Sequence, residues 1–211
     1  MLGSLQVNIG ILALQGAFAA HRRVLTDLGT SVTLVRGVED LVGLDGIVLP
    51  GGESTTMSML LDSSGIHGPL RERVGKGFPV FGTCAGLILL AEQIIDGRAD
   101  QQQLGGLSIN ARRNGYGRQI DSFEASINIC DADYAFPMNG VFIRAPRIEK
   151  VTGDVHVLGT VNGDIVLVRQ GNVLGATFHP ELSNDRRVHE MFLKMVSRHD
   201  DDLEQVQEVR S

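Results

Sequence analysis

Two short motifs, far apart in the chain, hold side chains that could do covalent chemistry together. The first is Pro79-Val80-Phe81-Gly82-Thr83-Cys84-Ala85-Gly86-Leu87-Ile88-Leu89-Leu90-Ala91: an apolar run, a turn of small residues carrying one cysteine, then an apolar helical pattern. It reads as strand, sharp turn and helix, with Cys84 on the turn. A thiol there stands on a strained elbow. The backbone N–H of Ala85 can face a developing oxyanion, and the N-terminus of the following helix favours the thiolate. Gly82 and Gly86 flank the turn because a Cβ would crowd it. The second motif, His179-Pro180-Glu181, supplies an imidazole and a carboxylate on either side of a stiffening proline. In a Cys–His–acid arrangement the histidine takes the thiol proton and later passes it to a leaving amine, while the acid fixes the imidazole tautomer. Singly, each has a plainer reading: a packed cysteine, a capped or core histidine, a solvated surface acid. Together, Cys84, His179 and Glu181 form the candidate catalytic set.

A third motif, Pro50-Gly51-Gly52-Glu53-Ser54-Thr55-Thr56, follows the apolar run Gly46-Ile47-Val48-Leu49. Backbone at Gly51 and Gly52 can approach a substrate closely, and its N–H groups could complete an oxyanion hole with Ala85. The plainer alternative is a helix entry in which Ser and Thr cap a helix over Met57 to Leu61.

These motifs need a scaffold that brings them to one edge. Val7 to Leu14 is nearly all apolar, as in a strand buried on both faces, and residues 17 to 28 carry Phe18, Val24, Leu25 and Leu28 at helical spacing. Ser31 to Val35 and Gly46 to Leu49 read as further strands, and Pro69 to Val74 as helix. Strands alternating with helices predict an α/β fold with a central, mostly parallel sheet, ligands lying beyond the carboxyl ends of its strands. After Gln101 the segments Leu107 to Ala111, Phe123 to Cys130, Gly140 to Ile143, Val155 to Val161 and Ile165 to Arg169 are short and β-rich, an added antiparallel portion. Asn162-Gly163 between apolar runs predicts a hairpin. Val173 to Phe178 is one more buried strand, ending at His179, and Asp185 to Val196 is the closing helix. His179 and Cys84 share an edge if their strands are parallel neighbours. Residues 1–198 then form one domain, and 199–211 read as a charged, frayed or disordered tail.

Composition narrows the function classes. The 211 residues suffice for one domain with a sizeable core, and the formal net charge of −6 argues against a general nucleic-acid binder. No stretch approaches the ~18 apolar residues of a membrane span, and no basic segment precedes the N-terminal apolar run. Cys84 and Cys130 make no disulfide framework, which points to a reducing cytosol and a cytoplasmic protein, with Cys130 read as packing. His21, His67, His156, His189 and His199 show no metal-ligand spacing and are assigned no chemistry, so neither metal nor cofactor is expected.

The G-T-C-A-G elbow with a downstream H-P-E resembles the class I (triad) glutamine amidotransferases, whose single-domain fold is flavodoxin-like. Further segments narrow the resemblance: Leu14-Gln15-Gly16, the Pro50 to Thr56 turn, Arg113-Asn114, Gly117-Arg118-Gln119, Asp121-Ser122-Phe123-Glu124, Phe142-Ile143-Arg144-Ala145-Pro146 and Phe178-His179-Pro180-Glu181-Leu182. In this order they are similar to the glutaminase-subunit family of pyridoxal 5′-phosphate synthases, over residues 7 to 198.

The resemblance implies hydrolysis of L-glutamine to glutamate and ammonia through a thioester on Cys84. Gly52, Glu53, Ser54, Arg113, Ile143 and Arg144 would hold glutamine, and Gly51, Gly52 and Ala85 would form the oxyanion hole. It also implies a partner: a synthase subunit, in a large hetero-oligomer, that receives the ammonia and builds pyridoxal 5′-phosphate from a pentose phosphate and glyceraldehyde 3-phosphate. Three other readings compete: the glutaminase of another synthase, such as that making imidazole glycerol phosphate, a non-catalytic interaction module, and a cysteine peptidase. Thr55-Thr56 and Phe142 to Pro146 favour the vitamin B6 partner, and the complete Cys84, His179 and Glu181 set argues against the module.

Overall fold

The computed structural model describes residues 7–98, 100–113, 115, 122–131 and 134–208, the backbone alone from 200 onward. The N-terminal half alternates as predicted: β1 (Asn8–Leu12), α1 (Phe18–Asp27), β2 (Ser31–Val35), β3 (Gly46–Leu49), α2 (Ser54–Ser63), α3 (His67–Gly75), β4 (Val80–Thr83) and α4 (Ala85–Leu90). Strands follow: β5 (Ala91–Ile94), β6 (Leu107–Arg112), β7 (Ser122–Asp131), β8 (Tyr134–Ile143), β9 (Arg147–Val151), β10 (His156–Val161), β11 (Asp164–Gln170) and β12 (Val173–Ala176). A 3-10 turn, Pro180–Leu182, and helix α5 (Arg187–Glu208) close the chain.

The sheet runs β2-β1-β3-β4-β12-β11-β10-β7-β8, with β5, β6 and β9 branching from β11. Its first five strands are parallel and the rest of that path antiparallel. Alternating side chains of the parallel strands feed two cores. Ile9, Ile11, Val48 and Phe81 pack with Leu25 of α1 and Val188, Phe192 and Val196 of α5, while Leu12, Ile47, Leu49 and Val80 pack with Met57, Leu61 and Leu70 of α2 and α3. Burial on both faces explains why these strands read as continuous apolar runs. Strand β12 lies between β4 and β11, parallel to β4, with Val173 opposite Val80 and Ala176 opposite Thr83. The predicted condition is met: Cys84 and His179 leave neighbouring parallel strands at the same edge.

Several expectations need correction. Helix α2 starts at Ser54, and its N-cap is Glu53, whose carboxylate accepts from the backbone N–H groups of Thr55 and Thr56; neither Ser54 nor the threonines cap it. Helix α5 runs to Glu208, so residues 199–208 extend a helix where a frayed tail was expected; Glu and Gln there are good helix formers. Residues 209–211, like Asn114, Tyr116, Gly117, Arg118, Gln119 and Asp121 of the family-like segments, lie outside the described residues. Cys130 is exposed rather than packed. Strand β8 begins six residues before Gly140 despite Pro137, which an edge strand accommodates because its missing N–H breaks no inner ladder. Strands β5 and β9 were not anticipated: Ala91 turns extended just where α4 would have continued, and in Arg147-Ile148-Glu149-Lys150-Val151 only Ile148 is buried.

Candidate active site

Cys84 occupies the elbow between β4 and α4 with φ of 50° and ψ of −105°, one of three described non-glycine residues at positive φ. Such a conformation costs on the order of 1–3 kcal/mol and persists because the surroundings impose it. Its N–H donates to the Ala176 carbonyl of β12 at 2.8 Å, and its carbonyl accepts from Ile88 of α4. The flanking glycines allow the close approach. A Cβ on Gly86 would overlap the Leu49 carbonyl of β3, and one on Gly82 would meet the Gly86 backbone at 2.7 Å. Cys84 is thereby held 7 % exposed at the floor of a cavity, its Sγ 3.9 Å from the Ile143 carbonyl oxygen.

His179 reaches this sulfur from β12. Its backbone N–H donates to the Val141 carbonyl of β8 at 2.8 Å, and Pro180 opens the 3-10 turn that brings Glu181 back beneath it. The Nδ1 of His179 lies 2.7 Å from Glu181 Oε1. A carboxylate accepts, so Nδ1 carries the proton and Nε2 is left for Cys84. Burial works against a charge on His179, but hydrogen bonds to Cys84 and Glu181, and their charges, outweigh it and push its pKa up to about 10. The imidazole therefore has a strong hold on any proton it takes from the neighbouring Cys84 sulfur. Burial also works against Glu181, yet its histidine neighbours hold it below the usual carboxylate range.

The cavity is about 300 Å³ and is lined by every residue expected in the site except Glu181, which lies behind His179. Gly51, Gly52, Glu53 and Ser54 line it together with Cys84, Ala85, Arg113, Ile143 and Arg144. Gly51 lies so close to Cys84 and His179 that a Cβ on it would overlap the His179 ring, and its carbonyl accepts from the Ala17 N–H at 3.1 Å. Arg113 donates to Glu53 Oε1 at 2.7 Å and to Thr55 Oγ1 at 2.9 Å. Burial opposes the charge on Glu53, but bonds from Thr56 and Thr55 together with the Arg113 guanidinium hold its carboxyl below the ordinary range. Ser54 is buried, and its Oγ has no hydrogen-bond partner among the described residues.

The profile of the SNO glutamine amidotransferase family matches residues 11–198. The chain belongs to that family. It is 53% identical over 191 residues to a Corynebacterium jeikeium protein named pyridoxal 5′-phosphate synthase subunit PdxT, covering 90% of this chain and 97% of that one. The Mycobacteroides abscessus protein of the same name is 50% identical, over 89% of this chain and 96% of its own. A crystal structure titled glutamine amidotransferase superposes with a TM-score of 0.83 at 44% identity, over 90% of this chain and 98% of that one. PurLQS from Thermotoga maritima, at 16% identity and a TM-score of 0.67 over 92% and 99% of the two chains, shares the fold.

Reading this SNO-family sequence for motifs missed a layer behind the triad. Ala17, Ile88 and Leu182 also line the cavity, and His21 of α1 and His189 of α5 are completely buried behind Glu181. A signal was present. His21 shares a helix face with Val24 and Leu25, and His189 adjoins Val188 and precedes Phe192 by three, so each histidine lies on the apolar stripe of its helix.

Proposed function

We propose that this chain is the glutaminase subunit of a pyridoxal 5′-phosphate synthase, hydrolysing L-glutamine to glutamate and passing the ammonia to a synthase subunit. The observation that carries this is the convergence of Cys84 and His179, with Glu181 behind the imidazole, at a cavity lined by the residues matching the family's glutamine site. Curated relatives at about half identity over nearly their whole length bear the same subunit name.

His179 Nε2 takes the Cys84 proton, and the thiolate attacks Cδ of the side-chain amide. As the C–S bond forms, the carbonyl π electrons move to oxygen, and the N–H of Ala85 with a backbone N–H from Gly51-Gly52 stabilises that oxyanion. The imidazolium then protonates the amide nitrogen, the C–N bond breaks and ammonia leaves. A water molecule, deprotonated by His179, attacks the thioester carbonyl; the C–S bond breaks, glutamate departs and the thiol is restored. Throughout, Glu181 keeps Nδ1 protonated and aimed. Arg113 offers a guanidinium suited to the α-carboxylate, which would compete with Glu53 for it, and Ser54 Oγ offers an uncommitted hydroxyl.

Ammonia is the useful product only while unprotonated, so release into bulk water near neutral pH wastes it. A docked synthase subunit, within a large cytoplasmic hetero-oligomer free of nucleic acid and membrane, removes that loss. Among the described residues no helix is long and apolar enough to cross a membrane. Docking also offers control: the Gly51-Gly52 peptide, with no Cβ to resist rotation, turns an N–H to the oxyanion only when the partner packs on the neighbouring loops. One absent oxyanion donor is worth about 10²–10³ in rate, enough to hold the lone subunit nearly silent. The test is glutamate release by the isolated chain and by the chain saturated with synthase subunit, with amide-labelled glutamine reporting nitrogen transfer into pyridoxal 5′-phosphate. Strong activation with label transfer is expected. Equal rates would remove the gate, and absence of label in the product would remove the assignment.

A further inference from the structure

Behind the triad lies a second chain of polar contacts that the mechanism above does not use. Glu181 presents Oε1 to His179, but its Oε2, fully buried, has no hydrogen-bond partner of good geometry. The group facing it is His21, whose Nε2 stands 3.4 Å away and also 3.2 Å from Thr83 Oγ1. The other nitrogen of His21, Nδ1, lies 3.0 Å from His189 Nε2. His189 ends the chain, since its Nδ1 is buried without a partner among the described residues. Phe81 of β4 meets both rings edge to face, with centroids 6.2 Å from His21 and 5.6 Å from His189. The strand that carries the nucleophile thus also clamps this pair.

The proton positions follow from what each alternative would leave unpaired. If His21 carried its proton on Nδ1, it would donate to His189 Nε2, and His189 would be forced to bury an N–H on Nδ1 with no acceptor. The lone pair of His21 Nε2 would then face a carboxylate oxygen. An orphaned buried donor costs roughly 1–3 kcal/mol, and the lone-pair contact adds repulsion. The reverse arrangement leaves only an acceptor unpaired, at His189 Nδ1, and turns an N–H toward Glu181. A protonated pair would bury a charge and again orphan the His189 Nδ1–H; burial lowers the pKa of both rings, that of His189 to about 3.

We infer that His189 and His21 are positioning residues for this amidotransferase: His189 Nε2–H donates to His21 Nδ1, and His21 Nε2–H, shared with Thr83, holds Glu181 Oε2 so that Oε1 stays on His179. The distance of 3.4 Å is long for a hydrogen bond, which suits a group that steadies a carboxylate without drawing its charge from the imidazole. This inference rests on the glutaminase reading, and it concerns which groups keep Glu181 in register.

The experiment is steady-state glutamine hydrolysis by the chain in complex with its synthase subunit. His21 is buried and does not line the cavity, so His21→Leu should lower kcat by about 10–100-fold, as loss of an outer orienting partner does, with KM within about twofold of wild type. His21→Gln, whose amide N–H can occupy the place of Nε2–H, should recover most of that loss. In a Glu181→Ala background the His21→Leu change should cost nothing further. An equal loss in both backgrounds, or a His21→Gln enzyme no better than His21→Leu, would show that His21 merely fills space and would overturn the proposal. Nitrogen-15 NMR of the wild-type chain gives an arm that needs no variant: both rings should carry their proton on Nε2, and an Nδ1–H on His21 would overturn it equally. Failure of wild-type glutamine hydrolysis altogether would strike the glutaminase reading and leave the tautomer result standing on its own.

Discussion

Cys84 is at once a strained backbone position of the site and its proposed nucleophile, and the two properties can be separated by substitution. Its φ of 50° is one that glycine adopts freely and alanine does not. Cys84→Ala should therefore fold and lose glutaminase activity by about 10⁴-fold or more, as triad knockouts do. Cys84→Gly should be equally inactive yet more stable than Cys84→Ala by about 1 kcal/mol, because removing Cβ releases the strain. Denaturant midpoints of the two variants check this; equal stabilities would mean that the elbow stores no strain. The neighbouring residues act as a unit. Losing His179 should cost about as much as losing Cys84, and losing Glu181 less, because the imidazole remains and only its aim suffers. The Cys84→Ala, His179→Asn double variant should match the single ones, and multiplicative losses in kcat would contradict the shared step.

At the scale of elements, the site is assembled from the ends of β3, β4, β6, β8 and β12 and the 3-10 turn after β12, and these differed in how well the sequence announced them. The elbow was legible because its chemistry and its steric demand coincide: Gly82, Cys84 and Gly86 are the residues a tight strand-to-helix crossing needs. His179 was legible only as a strand end; its parallel neighbour emerged when β12 was found beside β4, a pairing across more than ninety residues that no local pattern encodes. The cap of α2 was misread because Glu53 does the work that Ser54 does elsewhere, using one carboxylate to hold two N–H groups and Arg113. The buried histidines were passed over because polar residues on an apolar stripe carry no motif. The loop before α1 gives an element-scale prediction. Gly16 has φ of 92°, and a Cβ there would overlap the Gly51 carbonyl oxygen, which Ala17 N–H also holds. Gly16→Ala should push the Gly51-Gly52 peptide out of place and cost about 10²–10³ in kcat of the partner-activated enzyme, the worth of one oxyanion donor. Alkylation of Cys84 by a small electrophile, which needs no oxyanion hole, should proceed at near wild-type rate. Parallel losses in both would mean that the elbow itself had been disturbed.

For the molecule as a whole, the buried histidine pair ties folding stability to pH. His21 on α1 and His189 on α5 sit on one face of the sheet, against Phe81, with Glu181, His179 and Thr83 as the polar groups facing them. Both are neutral when folded: burial lowers each pKa, and that of His189 reaches about 3 despite the nearby Glu181 carboxylate. In the unfolded chain the same rings titrate near 6.5. A folded pKa below the unfolded one means that the stabilisation is whole above about pH 6.5 and is lost as the pH falls from there toward the folded value, because only the unfolded chain takes up the proton. Each such histidine contributes a slope of up to about 1.4 kcal/mol per pH unit across that interval. Glu181, held low, reinforces the trend only once the pH falls below the ordinary carboxylate range. His179, whose folded pKa is pushed up to about 10, acts the other way, adding stability as the pH falls toward 6.5 and little below it. Unfolding free energies from urea titrations should therefore change little between pH 7.5 and 6.5 and fall between pH 6.0 and 5.0 for the wild-type chain. In His189→Leu, of similar volume and without a titrating ring, the decline should be shallower by about one proton's worth, even if the variant is less stable at pH 7.5. Parallel declines in the two proteins would mean that His189 takes up its proton in the folded state, which its closed surroundings and orphaned Nδ1 leave no room to stabilise.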